Sequence, residues 1–171
     1  PKYWKNDYID RVFMRVPTNQ HAFIMLKNNS LFSSHPRYST WYGHSFETYL
    51  KTNAFEAITQ LETDPILHAD PRFSEWIRKS LAAASESNSP RVMRMLQTNA
   101  FLNQHPDRAK WYAETLEAMI RKDGYHAVEA IQHAVEVLQK DAELLANPRH
   151  GEWMRQALQR VAVSNASWSM T

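Results

Sequence analysis

Hydrophobic positions along this chain fall into one phrase written four times: a Leu, a Pro ten positions on, and a Trp five beyond that. The phrase stands as Leu26/Pro36/Trp41, Leu61/Pro71/Trp76, Leu96/Pro106/Trp111 and Leu138/Pro148/Trp153, and these twelve residues are the candidate structural core anchors. Before each Pro, apolar residues sit at helical steps: Leu26 with Leu31 and Phe32, Leu61 with Ile66 and Leu67, Leu96 with Phe101 and Leu102, Leu138 with Leu144 and Leu145. That spacing predicts the last part of one helix and its exit. His35, Asp70, His105 and Asn147 precede the prolines and are pushed out of the α region, which stops the helix. Pro fits the first position of a second helix, with Asp70 and Asn147 as good N-caps and the two His as poorer ones.

Beyond the Pro, the Trp and the residues one, five and eight further on form the sets Trp41/Tyr42/Phe46/Tyr49, Trp76/Ile77/Leu81/Ala84, Trp111/Tyr112/Leu116/Met119 and Trp153/Met154/Leu158/Val161. Those steps trace a single buried stripe on a helix. Each phrase therefore predicts a helical hairpin, and hairpins that cannot hide their stripes alone stack into a continuous core. The expected class is all-α: tandem helical-hairpin repeats, four units with an N-terminal capping helix, α-solenoid-like or a compact helical bundle. Residues 1–20 are read as the cap helix, with Tyr8, Ile9, Val12, Phe13 and Val16 on one face. Residues 21–164 form the repeat domain and 165–171 a C-terminal tail.

The spacing between successive Trp is 35, 35 and 42. The seven extra residues fall near 123–139, and about two helical turns inserted there predict a longer helix kept in phase rather than a loop. Gly124 predicts a helix C-terminus, and Asn88-Ser89-Pro90 a further break.

Composition narrows the function classes. Only three Gly among 171 residues disfavours sheet. Net charge is +2, with the surplus of basic residues confined to positions 1–51, and no dense Lys/Arg face of the kind that tracks phosphates, so no nucleic-acid partner is expected. No apolar run has the length to span a bilayer. With no Cys there are no disulfides, thiolate metal sites or cysteine nucleophile. Pro1 follows no initiator Met and no leader, so the chain is read as a processed piece whose targeting signal, if any, is missing. The sequons at Asn28 and Asn165 decide nothing.

Candidate chemistry is sparse. His126, Glu129, His133 and Glu136 share a helix face at metal-ligand spacing, but no second element supplies preorganised partners, and a solvated polar stripe is the expected reading. Arg37, Arg72 and Arg149 occupy equivalent first turns; an anion ladder is one reading, and Arg stems packed over a neighbouring hairpin the stronger one. Trp4 and Trp168 lie outside the repeat register. There is no glycine-rich phosphate loop and no GxSxG. No catalytic residue, cofactor or metal is expected.

The segments LETDPILHADPRFSEWIRKSL (61–81), LQTNAFLNQHPDRAKWYAETL (96–116) and LQKDAELLANPRHGEWMRQAL (138–158) resemble the Trp-bearing module of secreted oomycete RXLR effectors, over about residues 24–162. The resemblance implies a WY-type helical effector domain, with Trp41, Trp76, Trp111 and Trp153 as core anchors rather than contact residues. It implies a virulence protein secreted by a pathogen, acting in the cytoplasm or nucleus of a plant cell, where it binds host proteins and damps immunity without enzymatic activity. The chain departs from the family in lacking the RXLR motif and a regularly repeated partner Tyr; Tyr125 is the nearest single candidate. An endogenous intracellular helical-repeat scaffold is the alternative, although Ser45, Ser80, Thr115 and Ala157 stand where a tetratricopeptide repeat places its Gly. Homo-oligomerisation stays open.

Overall fold

The computed structural model describes residues 21–123 and 127–168, with side chains described as far as Val163. The expected cap helix 1–20, including Trp4, lies outside the described residues, as do Gly124, Tyr125, His126 and the Trp168 side chain. Among the described residues every regular element is a helix and there is no strand. None of these helices is long and apolar enough to cross a membrane.

The chain divides into two compact units, Pro1–Ala83 and Ala84–Thr171, a division that falls within the span read as one repeat domain. Unit 1 contains α1 (His21–Asn28), α2 (Tyr38–Thr52), α3 (Ala54–Thr63), the one-turn α4 (Pro65–His68) and the first turns of α5 (Phe73–Thr98). Here α2 packs on both α1 and α3. Unit 2 holds the rest of α5, then α6 (Ala100–Asn103), α7 (Arg108–Arg121), α8 (Ala127–Lys140), α9 (Ala142–Leu145) and α10 (His150–Trp168). In unit 2, α8 packs against α7 and α10.

Each first helix stops two residues past its anchor Leu, at Asn28, Thr63, Thr98 and Lys140. The next polar residue that breaks it is always Asn or Asp, three past the Leu. Asn29 Oδ1 accepts from the Leu31 N–H at 3.1 Å, Asp64 Oδ1 from Ile66 at 2.9 Å, Asn99 Oδ1 from Leu102 at 3.0 Å and Asp141 Oδ1 from Glu143 at 3.0 Å. In the last three phrases this cap starts a one-turn helix.

The second helices begin two residues after the Pro, at Tyr38, Phe73, Arg108 and His150, and not at the Pro as the sequence pattern predicts. The reason is a turn closed across it. His35 Nδ1, Asp70 Oδ1, His105 Nδ1 and Asn147 Oδ1 each accept the N–H two residues on, at 3.1, 2.9, 3.2 and 2.9 Å. The two His are thus equivalent to the Asp and Asn, because an Nδ1 lone pair has the same reach as an Asx oxygen. Pro36, Pro71, Pro106 and Pro148 are exposed at these turns, which corrects their place among the core anchors: they shape the turn and bury little.

The Leu and Trp of all four phrases are buried. So are the stripes of the first three, but in the fourth Met154 and Val161 are half-buried and Leu158 is 51% exposed, contrary to the pattern. Of the apolar residues at the helix exits, Leu31, Ile66 and Leu145 point out, and the one-turn helices bury Leu67, Leu102 and Leu144. The same register is filled differently in the two units. Phe23 lies 4.9 to 5.1 Å from the rings of Tyr42, Phe46 and Tyr49 in unit 1, where unit 2 has Met93, Leu116 and Met119.

Of the seven inserted residues, four lengthen α8 to 14 residues against 10 in α3. Four residues are close to one turn, so the buried series Ala127, Ala130, Ile131, Ala134, Val137 and Leu138 stays on one face. The break read at Asn88-Ser89-Pro90 is a kink inside α5, with Asn88 at φ −151° and ψ 78°.

Candidate functional site

Polar side chains inside the units form two sets whose geometry repeats. In unit 1 the Tyr42 hydroxyl donates to Asp64 Oδ2 at 2.5 Å, and Lys27 reaches the same oxygen at 3.4 Å. In unit 2 the Tyr112 hydroxyl donates to Asp141 Oδ2 at 2.5 Å, and Gln97 Nε2 donates to Tyr112 at 2.7 Å and to Asp141 at 3.4 Å. The Tyr follows the Trp of phrases one and three, the Asp is the helix cap of phrases two and four, and Lys27 or Gln97 follows an anchor Leu.

A Tyr held by a carboxylate resembles a general-base arrangement, but its electrostatics point the other way. Burial first, then the Asp hydrogen bond, push both Tyr above the ordinary value of 10.0, so neither forms a phenolate nucleophile near neutrality. Asp64, 5% exposed, and Asp141 are spent on capping and on the Tyr. These are structural locks.

The second repeated set surrounds the Trp of phrases two and four. Trp76 Nε1 donates to Glu47 Oε1 at 3.2 Å, and Trp153 Nε1 to Glu117 Oε1 at 3.3 Å. The same carboxylates receive Arg72 Nη1 at 3.0 Å and Arg149 Nη1 at 2.7 Å, while each guanidinium lies over its own Trp ring, 4.7 and 5.0 Å from the centroid. Arg72 also holds Asp70 through two bonds of 2.9 Å, which keeps that carboxyl below its ordinary 3.8. Gly43 makes room for this Arg, since a Cβ there meets Arg72 Nη2 and comes within 3.0 Å of the Trp76 ring. Two members of the supposed Arg ladder are therefore internal ties. Arg37 takes a different place: His35 stacks on Trp41 instead, with centroids 4.2 Å apart, as His105 does on Trp111 at 4.4 Å.

Accessible concavities occur in each unit. A cleft of about 420 Å³ in unit 1 is lined by Ser39, Gly43, Pro65, Ile66, Pro71 and Trp76, among others. In unit 2 a groove of about 740 Å³ runs along α7 and α10, with Ile120 and Val163 as apolar lining and Gln156 and Gln159 between charged residues. Arg121, Arg149 and Arg160 face Glu117, Asp123 and Glu152 there. Arg160 Nη2 donates to Asp123 at 2.5 Å and to the Lys122 carbonyl at 2.7 Å. Three cations balanced by three carboxylates leave no net field to gather phosphates. The groove is built from second helices.

Among the described residues no three metal-ligating side chains converge. His133 Nδ1 sits 3.7 Å from Glu136, and His126 lies outside the described residues. Of the twelve sequence-predicted anchors, the structure buries the four Leu and four Trp. It adds what periodicity missed: Asp64, Asp141, Glu47 and Glu117, and the hydrogen bonds made by Tyr42 and Tyr112. A signal for them exists, because Tyr after the Trp and Glu six past it occur in phrases one and three only, a 70-residue rhythm over the 35-residue one. Compared with known proteins, the chain matches no family model, no curated protein and no solved structure.

Proposed function

We infer that the chain is a tandem array of four helical hairpins and acts as a secreted pathogen effector of the RXLR kind, which enters a plant cell, binds a host protein and damps immunity without chemistry of its own. The observation that carries this reading is the four-fold Leu-to-Trp phrase, the feature that resembles the effector module, with every Leu and Trp in it buried. The buried polar groups support a binding role, since the Tyr–Asp and Glu–Trp–Arg sets are consumed by internal bonds. What remains for a partner is surface, including the charge-balanced groove of unit 2.

Affinity capture from plant extract tests it, comparing the full chain with a variant carrying Arg121→Glu and Val163→Asp in the groove. A host protein retained by the first and depleted by the second, together with a weakened immune response in leaves expressing the chain, is the expected result. Capture of nothing above background, with no effect on immunity, sinks the reading. The 35-residue hairpin period equally suits an endogenous scaffold. A signal peptide and RXLR motif encoded upstream select the effector, and a plain Met start selects the scaffold.

A further inference from the structure

On α10, Gly151, Met154, Leu158 and Val161 follow one another at steps of three and four, so they share a face. The equivalent residues of the third phrase, Tyr112, Leu116 and Met119 on α7, are buried, and α8 packs against that helix. In the first phrase Tyr42, Phe46 and Tyr49 on α2 are buried beneath Phe23 of α1, and α3 also packs against α2. The fourth stripe has the same register with Leu158 half uncovered, and a Cβ added at Gly151 meets nothing within 4 Å. Each of those two second helices is thus followed by an amphipathic helix that packs against it with small and branched apolar residues, Ala57, Ile58 and Leu61 on α3, and Ala130, Ile131 and Ala134 on α8.

Charge says more about the occupant. Arg155, one turn from Leu158 along α10, is exposed, and its side chain holds no hydrogen bond or ion pair among the described residues. We propose that this face of α10 receives an amphipathic helix of the bound protein, apolar at steps of three and four and bearing a carboxylate that meets Arg155. Among the described residues, a second copy of the chain is the poorer match. The apolar faces of α3 and α8 are already buried, and α1, with Ile24 and Met25 exposed, carries Lys27 and no acid. The proposal rests on the reading of the chain as a protein-binding module and names its surface.

The probe is a labelled synthetic peptide, AVEAIQHAVEVLQK, the sequence of α8, held helical by a lactam bridge on its polar face, and titrated into the full chain. Saturable binding is expected. Leu158→Asp and Arg155→Glu should each weaken it about tenfold or more. The Arg155→Glu loss should be recovered by a peptide with Lys in place of both Glu residues. Both substitutions are at exposed positions; should Leu158→Asp fail to fold, the Arg155→Glu pair with its charge-swapped peptide decides alone. Absence of saturable binding, or binding indifferent to both substitutions, overturns the proposal. So does a dimer in sedimentation that Leu158→Asp abolishes, because the occupant is then a second copy. A host protein captured equally by the native chain and Leu158→Asp overturns this face and leaves the protein-binding reading standing. Peptide binding with no host protein captured supports the face while that reading falls.

Discussion

Four leucine carbonyls at the ends of the first helices are met by four different donors. The Tyr38 hydroxyl donates to Leu26 O at 3.1 Å, His68 Nε2 to Leu61 O at 2.5 Å, Arg108 Nε to Leu96 O at 3.3 Å and His150 Nε2 to Leu138 O at 3.1 Å. A helix end leaves such carbonyls without intrahelical partners, and burying one unpaired is costly. Tyr38, Arg108 and His150 all stand three before a Trp, so the position is constant while its chemistry varies. His150→Tyr should then retain stability, whereas His150→Phe should lose about 1 kcal/mol in a denaturant titration. Equal stability of the two variants counts against the bond. Ionisation adds a second expectation at this scale. The Arg72 bonds hold Asp70 below 3.8; at Asp141 burial works against the charged form, but the hydrogen bonds from Tyr112, Gln97 and two backbone N–H groups together outweigh it. A depressed folded-state value means that the unfolded chain takes up these protons first. The stabilisation is therefore complete above the ordinary carboxylate range and is lost as pH falls through the folded-state values. Urea midpoints should fall as pH drops below about 4, with a smaller fall in Arg72→Ala. A native midpoint that stays level down to pH 3 contradicts this.

Elements in this chain are delimited by caps more than by propensity. Asn29, Asp64, Asn99 and Asp141 occupy one register position and each ends one segment while starting the next. Asp is used where a Tyr is also held. Asp141→Asn should keep the cap and cost no more than about 1 kcal/mol, while Asp141→Ala loses the cap and a Tyr112 partner together and should cost about 2 to 3 kcal/mol. Thermal melts of the two variants separate the roles, and coincident melts refute the double use. The kink in α5 follows the same logic. Asn88 Oδ1 accepts the Arg91 N–H at 3.0 Å, so Asn88 acts as the N-cap of the helix that restarts after the kink, with Pro90 at an early position where its missing N–H costs nothing.

At the scale of the whole molecule, each buried indole closes a core too small to spare it. Trp76→Ala or Trp153→Ala should each cost about 3 to 5 kcal/mol, a large part of the roughly 5 to 15 that holds a domain together. Guanidinium titrations that show less than about 1 kcal/mol would remove the indoles from their central role. How much of this was legible follows from what a linear pattern encodes. The steps between Leu26 and Phe32, or Trp41 and Phe46, record which side of a helix avoids water, and that alone determined the all-α class, the buried Leu and Trp, and the absence of strands from the described residues. Periodicity carries no address for the partner across the gap. That Tyr42 finds Asp64 and Trp153 finds Glu117, 22 and 36 residues apart, was decided by tertiary packing. The exposure of Leu158, identical in register to the buried Leu116, was decided the same way. A stripe is written by its own helix, but whether it is covered depends on whether another helix lies over it.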